Sequence, residues 1–490
     1  MRSLCKKTEN EKGYHTIGLY IQFIIRLGMT DNLQRNNIPR VMLAAASSGS
    51  GKTLITCGIL QTLVNRELNV ASFKCGPDYI DPMFHSRVIG TRSRNMDTFF
   101  TDDEVTKYLF ARTAKDSDIS VVEGVMGFYD GLGGKEMKGS SYDISCRLDI
   151  PVILIVDCKG TAVSSVPVVK GFKEFHGENI RGVILNNMSE NIYDDVKDLI
   201  EEEVDVEVLG YVPNVKELVL ESRHLGLVLP DEIISLKEKL NSLAEVLERT
   251  LDVDGIIRIA KKASAMIYEE PDIKTIAEKV KIGVAKDDAF CFIYQDNIEL
   301  LERMGAEIVY FSPVADKGLP DDVNGIILPG GYPELHAETL SMNVGMLKDI
   351  RERIGNGLPC MAECGGFMYL HEEMEDAHGN VRKMAGVFKG RSFNTKKLSR
   401  FGYISIKAKD SPILGGGEIK GHEFHYWDST DPGRDCVATR PSNGVEYECM
   451  HCRGNIAAGY PHLYYYSNPD IPYNFLKLCK GSGSAAEKRN

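Results

Sequence analysis

The stretch Ser47-Ser48-Gly49-Ser50-Gly51-Lys52-Thr53 follows an apolar run at 41–46 and precedes a helical apolar segment that starts near Leu54. A tight glycine loop between a strand and a helix N-terminus turns several backbone N–H groups toward one point, where the helix dipole favours an anion. In such loops the lysine reaches the β and γ phosphates of a nucleotide, and the Ser/Thr hydroxyl holds magnesium. The strand feeding the loop is then expected in a mostly parallel sheet whose ligands collect at the strands' carboxyl ends. Ser48, Gly49, Ser50, Gly51, Lys52 and Thr53 are therefore the expected ATP-binding residues, with Thr53 also on the metal. One position departs from the G-x-x-x-x-G-K-[ST] pattern: Ala46 stands where the first glycine would be.

Further short apolar runs at 70–74, 119–123, 151–157, 180–186 and 206–212 alternate with helical stretches. This alternation predicts a parallel α/β domain over 40–262. Two acidic segments fall at strand ends: Lys74-Cys75-Gly76-Pro77-Asp78-Tyr79-Ile80-Asp81-Pro82 after the second run, and Glu123-Gly124-Val125-Met126-Gly127 after the third. Magnesium prefers few carboxylates alongside waters and phosphate oxygens, which Asp78 and Glu123 would supply. Residues 263–279, containing Glu269, Glu270, Pro271 and Asp272, read as a linker.

A second α/β series is expected over 280–480, with strands at 282–285, 307–311, 325–328 and 359–362 and strand-like segments at 401–408 and 455–460. Within it, Pro359-Cys360-Met361-Ala362-Glu363-Cys364-Gly365-Gly366 reads as a strand, a sharp turn and a helix. A nucleophile at such an elbow is held exposed in a strained turn, and the helix N-terminus is expected to lower its thiol pKa. Cys364 is thus the candidate nucleophile, whereas Cys360 lies inside the strand. Gly330 and Gly331, after the strand at 325–328, are the candidate oxyanion-hole donors. His462, after the last strand, is the candidate general base, since Cys–His pairs meet in space rather than in sequence. Gly421-His422-Glu423-Phe424-His425-Tyr426 reads as a half-exposed strand with a ligand-contact role. The spacing Cys449-Met450-His451-Cys452 lacks the second pair that a zinc ribbon needs.

Composition excludes several classes. With 58 basic and 70 acidic residues the net charge is −12, which argues against a broad grip on nucleic acid or anionic lipid. Twelve cysteines in 490 residues fall far below a disulfide scaffold and fit a reducing cytoplasm. The apolar stretch 18–29 is broken by Gln22 and Arg26 and is too short to span a bilayer. Residues 1–39 read as an extension from a mis-assigned start, Met29 being a better start than Met42, and 481–490 as a disordered tail.

Taken in order, SSGSGKT, KCGPDYIDP, VEGVMGFYDG, PGGYPE, AECGGF, GHEFHY and the His462 segment resemble the cobyrinic acid a,c-diamide synthase family over roughly 40–480. A variant of that family in methanogens amidates nickel-sirohydrochlorin. The resemblance implies a dethiobiotin-synthetase-like phosphate-loop domain followed by a flavodoxin-like class I glutaminase domain. It implies ATP-dependent amidation of the a and c acetates of an anionic tetrapyrrole through an acyl phosphate, with ammonia released from glutamine by Cys364 and His462. Asp81 resembles a residue important for substrate activation, and Asn186 the adenine-reading Asn of that fold, ahead of Asn187. Lys74, Tyr79 and Lys159 are tentative substrate contacts. ATP and magnesium are the implied cofactors, with no nucleic-acid or membrane partner, and a homodimer is compatible with this reading. Many class I glutaminases carry a Glu two residues after the histidine, whereas here Tyr464 occupies that place. Two rivals are an amidase of other side chains, of the cobyric acid synthase kind, and a nucleotide switch of the partition-ATPase type. The latter typically carries a second lysine where Ser47 stands, and has no use for Cys364.

Overall fold

The computed structural model describes residues 33–215 and 230–487. Seven parallel strands form the first sheet, in the spatial order Arg92–Met96, Val70–Cys75, Ile119–Glu123, Arg40–Ala45, Val152–Asp157, Ile180–Asn186 and Glu207–Val212. Strand Arg40–Ala45 sits in the middle, where the chain's direction of winding reverses, and its end opens into the phosphate loop. Its residues are buried throughout because helices cover both faces. On one face Leu43, Ile55, Leu60, Leu243, Leu247 and Ile256 close the core.

The second parallel sheet has the order Ala306–Phe311, Val280–Ala285, Gly325–Leu328, Cys360–Glu363 and Ile456–Gly459. This is the 2-1-3-4-5 order of the flavodoxin-like fold. Against it lie a four-stranded mixed sheet and a five-stranded antiparallel sheet, the latter containing Arg400–Ala408, Glu418–His425 and His462–Leu463. The α/β expectation for both series holds.

Four expectations need correction. Residues 33–39 are not a dispensable extension, because Leu33–Asn36 pairs antiparallel with Met266–Glu269. Residues 1–32, where the candidate start Met29 falls, lie outside the described residues. The same pairing shows that 263–279 is more than a linker: Met266 and Tyr268 point inward while Asn36 Nδ2 donates to the Tyr268 hydroxyl at 2.8 Å. Its period-two pattern was masked by the Glu and Pro residues that follow. Strand Arg92–Met96 was missed, since an edge strand with arginines at alternate positions shows no apolar run. Finally, the tail at 481–490 does not begin as disorder: the last helix, Asp470–Glu487, runs on through it, ending in the strong helix formers Ala485, Ala486 and Glu487.

Among the described residues no helix is long and apolar enough to cross a membrane.

Candidate active sites

Gly49 and Gly51 both adopt left-handed backbone, at φ 81° and 82°, and Gly51 caps the helix Lys52–Asn65. A Cβ at position 51 would lie 2.4 Å from the Asn186 side-chain nitrogen. That nitrogen donates to the Ser50 carbonyl at 2.9 Å, so the end of strand Ile180–Asn186 braces the loop from outside. Lys52 Nζ donates to the Met126 carbonyl at 2.7 Å, and the Thr53 hydroxyl donates to Glu123 Oε1 at 2.6 Å. The register explains the second contact. Leu43 pairs with Glu123, so the carboxylate stands two residues short of the end of strand Arg40–Ala45, next to the loop that follows it. Asn186 thus clamps the loop through its side-chain N–H group. Asn187 instead donates to Asp157 Oδ1 at 2.8 Å.

Behind the loop lies a buried charge cluster. Lys74 Nζ is 2.7 Å from Glu123 Oε1 and 2.6 Å from Asp81 Oδ2, and His85 Nε2 lies 3.5 Å from Glu123 Oε2. Burial works against the Glu123 charge, but the Lys74 ammonium and the hydrogen bonds from Lys74 and Thr53 outweigh it and hold its carboxyl below the usual range. Asp81 is pushed up to about 7 by burial and by Glu123, against the pull of Lys74. Burial brings His85 down to about 4, so it stands neutral beside the carboxylate. Asp78 accepts from the backbone N–H groups of Ile80 and Asp81 at 2.8 and 3.2 Å, which stiffens the turn. The tentative substrate contacts separate here. Lys159 is exposed and Lys74 is buried between Glu123 and Asp81, whereas Tyr79, though buried, lines a cavity with Met83, Arg87, Arg94 and Asn95, and its hydroxyl has no hydrogen-bond partner among the described residues.

In the second sheet, Cys364 sits beyond strand Cys360–Glu363 at φ 46° and ψ −105°, a conformation that costs a non-glycine residue of order 1–3 kcal/mol. Its N–H donates to the Gly459 carbonyl at 2.8 Å, which ties the elbow to the strand leading to His462. A Cβ at Gly365 would lie 3.1 Å from the Gly331 nitrogen, and one at Gly330 would lie 2.4 Å from His462 Cε1. The elbow, the 330–331 loop and His462 therefore meet at the carboxyl ends of neighbouring strands.

The electrostatics differ from the expectation. Burial, with Glu334 nearby, pushes the Cys364 thiol up, overriding the short helix that follows. Burial likewise drives the His462 imidazole well down. The resting pair is neutral.

His462 lies in an aromatic bed. The His422 ring stacks on it at 4.9 Å and 17°, and Tyr79 approaches at 5.3 Å. Tyr79 belongs to the Asp78–Asp81 turn of the first sheet, and it also stacks on Phe292 at 5.0 Å and 6°. The seam continues with the Tyr403 hydroxyl donating to Asp97 Oδ2 at 2.6 Å and Lys420 Nζ donating to the Phe99 carbonyl at 2.8 Å. Tyr464, where a Glu would stand in many class I glutaminases, turns away and donates to Asp296 Oδ2 at 3.0 Å. Glu363 Oε2 instead lies 3.8 Å from His462 Nδ1.

The expected residues thus gather into two groups: Lys52, Thr53, Asp78, Asp81, Glu123 and Asn186 around the phosphate loop, and Cys364, Gly330, Gly331 and His462 around the elbow. Sequence reasoning missed Glu363 and the stacking partner role of His422. The GHEFHY strand flagged His422 as facing a ligand. Only the position next to the nucleophile could have flagged Glu363.

Comparison with known proteins agrees with this division. The family model for the CobQ/CobB/MinD/ParA nucleotide binding domain matches residues 41–228, and that for the CobB/CobQ-like glutamine amidotransferase domain matches 281–469. The chain is 39% identical over 448 residues to a cobyrinate a,c-diamide synthase of Caldanaerobacter subterraneus, covering 90% of this chain and 98% of that protein. It is 40% identical over 437 residues to one of Clostridium tetani, covering 87% and 97%. A third, of Salmonella typhimurium, is 39% identical over 450 residues, covering 90% and 98%.

Proposed function

The chain belongs to the cobyrinate a,c-diamide synthase family, and from that premise we propose that it amidates the a and c carboxylates of cobyrinate, using ATP and ammonia drawn from glutamine. The observation that carries the reading is the Asp78–Asp81 turn. It borders the phosphate loop's charge cluster at one end and stacks Tyr79 beside His462 at the other.

In the first site, Lys52 leaves the Met126 carbonyl to bind the β and γ phosphates, and the loop N–H groups cradle them. Asn186 offers its oxygen to the adenine amine. Magnesium fits the donor set: Glu123 Oε2 is buried with no hydrogen-bond partner, and Thr53 already bonds the same carboxylate. Thr53 and Glu123, with Asp78 near the turn, would hold it, and its charge would offset that of the phosphates. Transfer of the γ-phosphoryl group to an acetate oxygen gives an acyl phosphate and ADP. Asp81, paired with Lys74, supports that activation, and the exposed Lys159 is the tentative contact for the substrate's carboxylates.

In the second site, the Cys364 thiol gives its proton to His462 as sulfur attacks the glutamine side-chain amide. The N–H groups of Gly330 and Gly331 stabilise the tetrahedral oxyanion. The C–N bond breaks, His462 returns the proton to the leaving ammonia, and water hydrolyses the thioester to glutamate. Ammonia then displaces phosphate from the acyl phosphate. Each amide consumes one ATP and one glutamine, so two rounds consume two of each. The reading places the enzyme in the cytoplasm and is compatible with a homodimer.

Cys364→Ala tests it: glutamine-dependent amidation of cobyrinate should vanish while ammonia-dependent amidation at high pH remains. Survival of both would sink the glutaminase assignment. Nickel-sirohydrochlorin assayed in parallel decides between acceptors, and equal or greater turnover on it would displace cobyrinate.

A further inference from the structure

A neutral imidazole carries one N–H, and it can take a thiol proton at Nε2 only when that hydrogen sits on Nδ1. Enzymes of this chemistry fix the tautomer with a carboxylate facing Nδ1, and replacing it by an amide leaves the geometry intact while lowering kcat severely. In this chain the residue two places after the histidine is committed elsewhere: the Tyr464 hydroxyl bonds Asp296 and its ring stacks on Phe100 at 4.9 Å and 13°. His462 Nδ1 is buried without a hydrogen-bond partner. An orphaned buried nitrogen at a reacting residue calls for an explanation.

Across from it stands a carboxylate from another part of the chain. Glu363 is the last residue of strand Cys360–Glu363, directly before the nucleophile, and is 6% exposed. Its Oε1 accepts from the Leu463 N–H at 3.3 Å, which aims Oε2 at the preceding residue, His462, 3.8 Å from Nδ1. Strand pairing holds both ends of this arrangement: Glu363 is in register with Gly459, three residues before His462. Among the described residues, His462 is its one ion-pair partner. The other ionisable groups around it are Cys364, Tyr79, Tyr294 and Tyr465, none of them cationic. On its far side His462 faces His422, with His425 and Glu423 beyond.

We propose that Glu363 is the positioning residue for His462: its carboxylate takes Nδ1–H, leaves Nε2 free for the Cys364 proton, and balances the imidazolium that then forms. The separation is about 0.8 Å beyond a good hydrogen bond, a gap of the kind that closes when substrate fills a site. Nucleophile and orienting carboxylate are then consecutive residues on opposite sides of one strand end, and a single backbone pairing sets both. Raised by burial to about 8, the Glu363 carboxyl is protonated in the empty enzyme near neutrality. In that state no anion faces Nδ1 and the productive tautomer is not held, consistent with a glutaminase that stays idle until its site is filled.

This inference rests on the glutaminase reading of Cys364 and His462, and the test separates the two. Glutamine hydrolysis and ammonia-dependent amidation are measured on the full-length wild type, Cys364→Ala, Glu363→Gln and Glu363→Asp, across pH 6–9.5. The expected result for Glu363→Gln is a fall in kcat for glutamine of about 100-fold or more, with KM for glutamine within about threefold and ammonia-dependent turnover within about twofold of wild type. The wild-type kcat rises with pH along a limb that Glu363→Gln lacks, and Glu363→Asp recovers part of both the rate and the limb. A kcat within about twofold of wild type in Glu363→Gln overturns the inference, as does a parallel loss of both activities, which would mark Glu363 as structural. If Cys364→Ala hydrolyses glutamine like wild type, the glutaminase reading itself fails.

Discussion

Gly330→Ala replaces one hydrogen by a methyl group at the point where the oxyanion loop passes His462. The new Cβ would stand 2.4 Å from His462 Cε1, 3.2 Å from Nδ1 and 3.4 Å from Nε2. Ordinary contact requires roughly another 1 Å, and little is available. His462 is 2% exposed, the His422 ring lies parallel to it at 4.9 Å, and Tyr79 closes a second side at 5.3 Å. The imidazole must therefore shift or the loop must lift, and either moves a reacting group by about 1 Å. Such a displacement costs on the order of 100-fold in rate, or about 2.7 kcal/mol of barrier. Overpacking a tight site adds about 1–3 kcal/mol of destabilisation. The Ala backbone N–H survives, so loss of the donor itself is not the cause. Glutamate release from glutamine should fall about 100-fold, while amide formed from ammonium chloride at high pH, read by ADP production, should stay within about twofold. A glutaminase rate within about threefold of wild type would refute the reasoning, because the loop and histidine would then not be in the contact described.

Lys52→Ala should abolish ATP-dependent amidation with either nitrogen donor, and retention of the ammonia-driven reaction in an ADP-release assay would remove Lys52 from the phosphate site. Lys74→Met leaves Glu123 and Asp81 facing each other without their shared cation, and breaking a buried pair costs about 3–5 kcal/mol. Thermal unfolding should show a clear drop in Tm, and an unchanged Tm would contradict the charge cluster. Glu363 has a folded-state value of about 8 against an ordinary 4.5, so between these the folded chain holds a proton that the unfolded chain has released. Its contribution to stability is lost as pH rises through that window, by up to about 1.4 kcal/mol per unit. Glu363→Gln lacks this loss, so its Tm relative to wild type should rise between pH 5 and pH 8.5, and a constant difference would refute the burial argument.

The parallel sheets were legible because buried strands flanked by helices carry short apolar cores, such as Val121-Val122 and Val183-Ile184-Leu185, within 119–123 and 180–186. Strand Arg92–Met96 was not, since an edge strand needs no apolar face toward solvent. Leu33–Asn36 and Met266–Glu269 were hidden for another reason: each is only four residues long, and neither has meaning until its distant partner is known. At the sites, Lys52, Thr53 and Cys364 announce themselves through local turn chemistry. Glu363 and the Lys74–Asp81–Glu123 cluster depend on which strand ends lie at one level, and that is a property of register. The thiol pKa was misjudged because a helix N-terminus is visible in a sequence whereas the burial that outweighs it is not.

The Tyr79 ring has a consequence for how such an enzyme is inherited. A glutaminase borrowed from another protein could bring a nucleophile and a histidine, yet it would lack Phe292, Tyr294 and His422, the surfaces on which Tyr79 rests. A borrowed ATPase would lack the tyrosine and the Asp97 carboxylate that Tyr403 meets. The two halves are therefore not interchangeable modules, and sequence change at one face of the seam constrains the other. What is passed on is the matched pair.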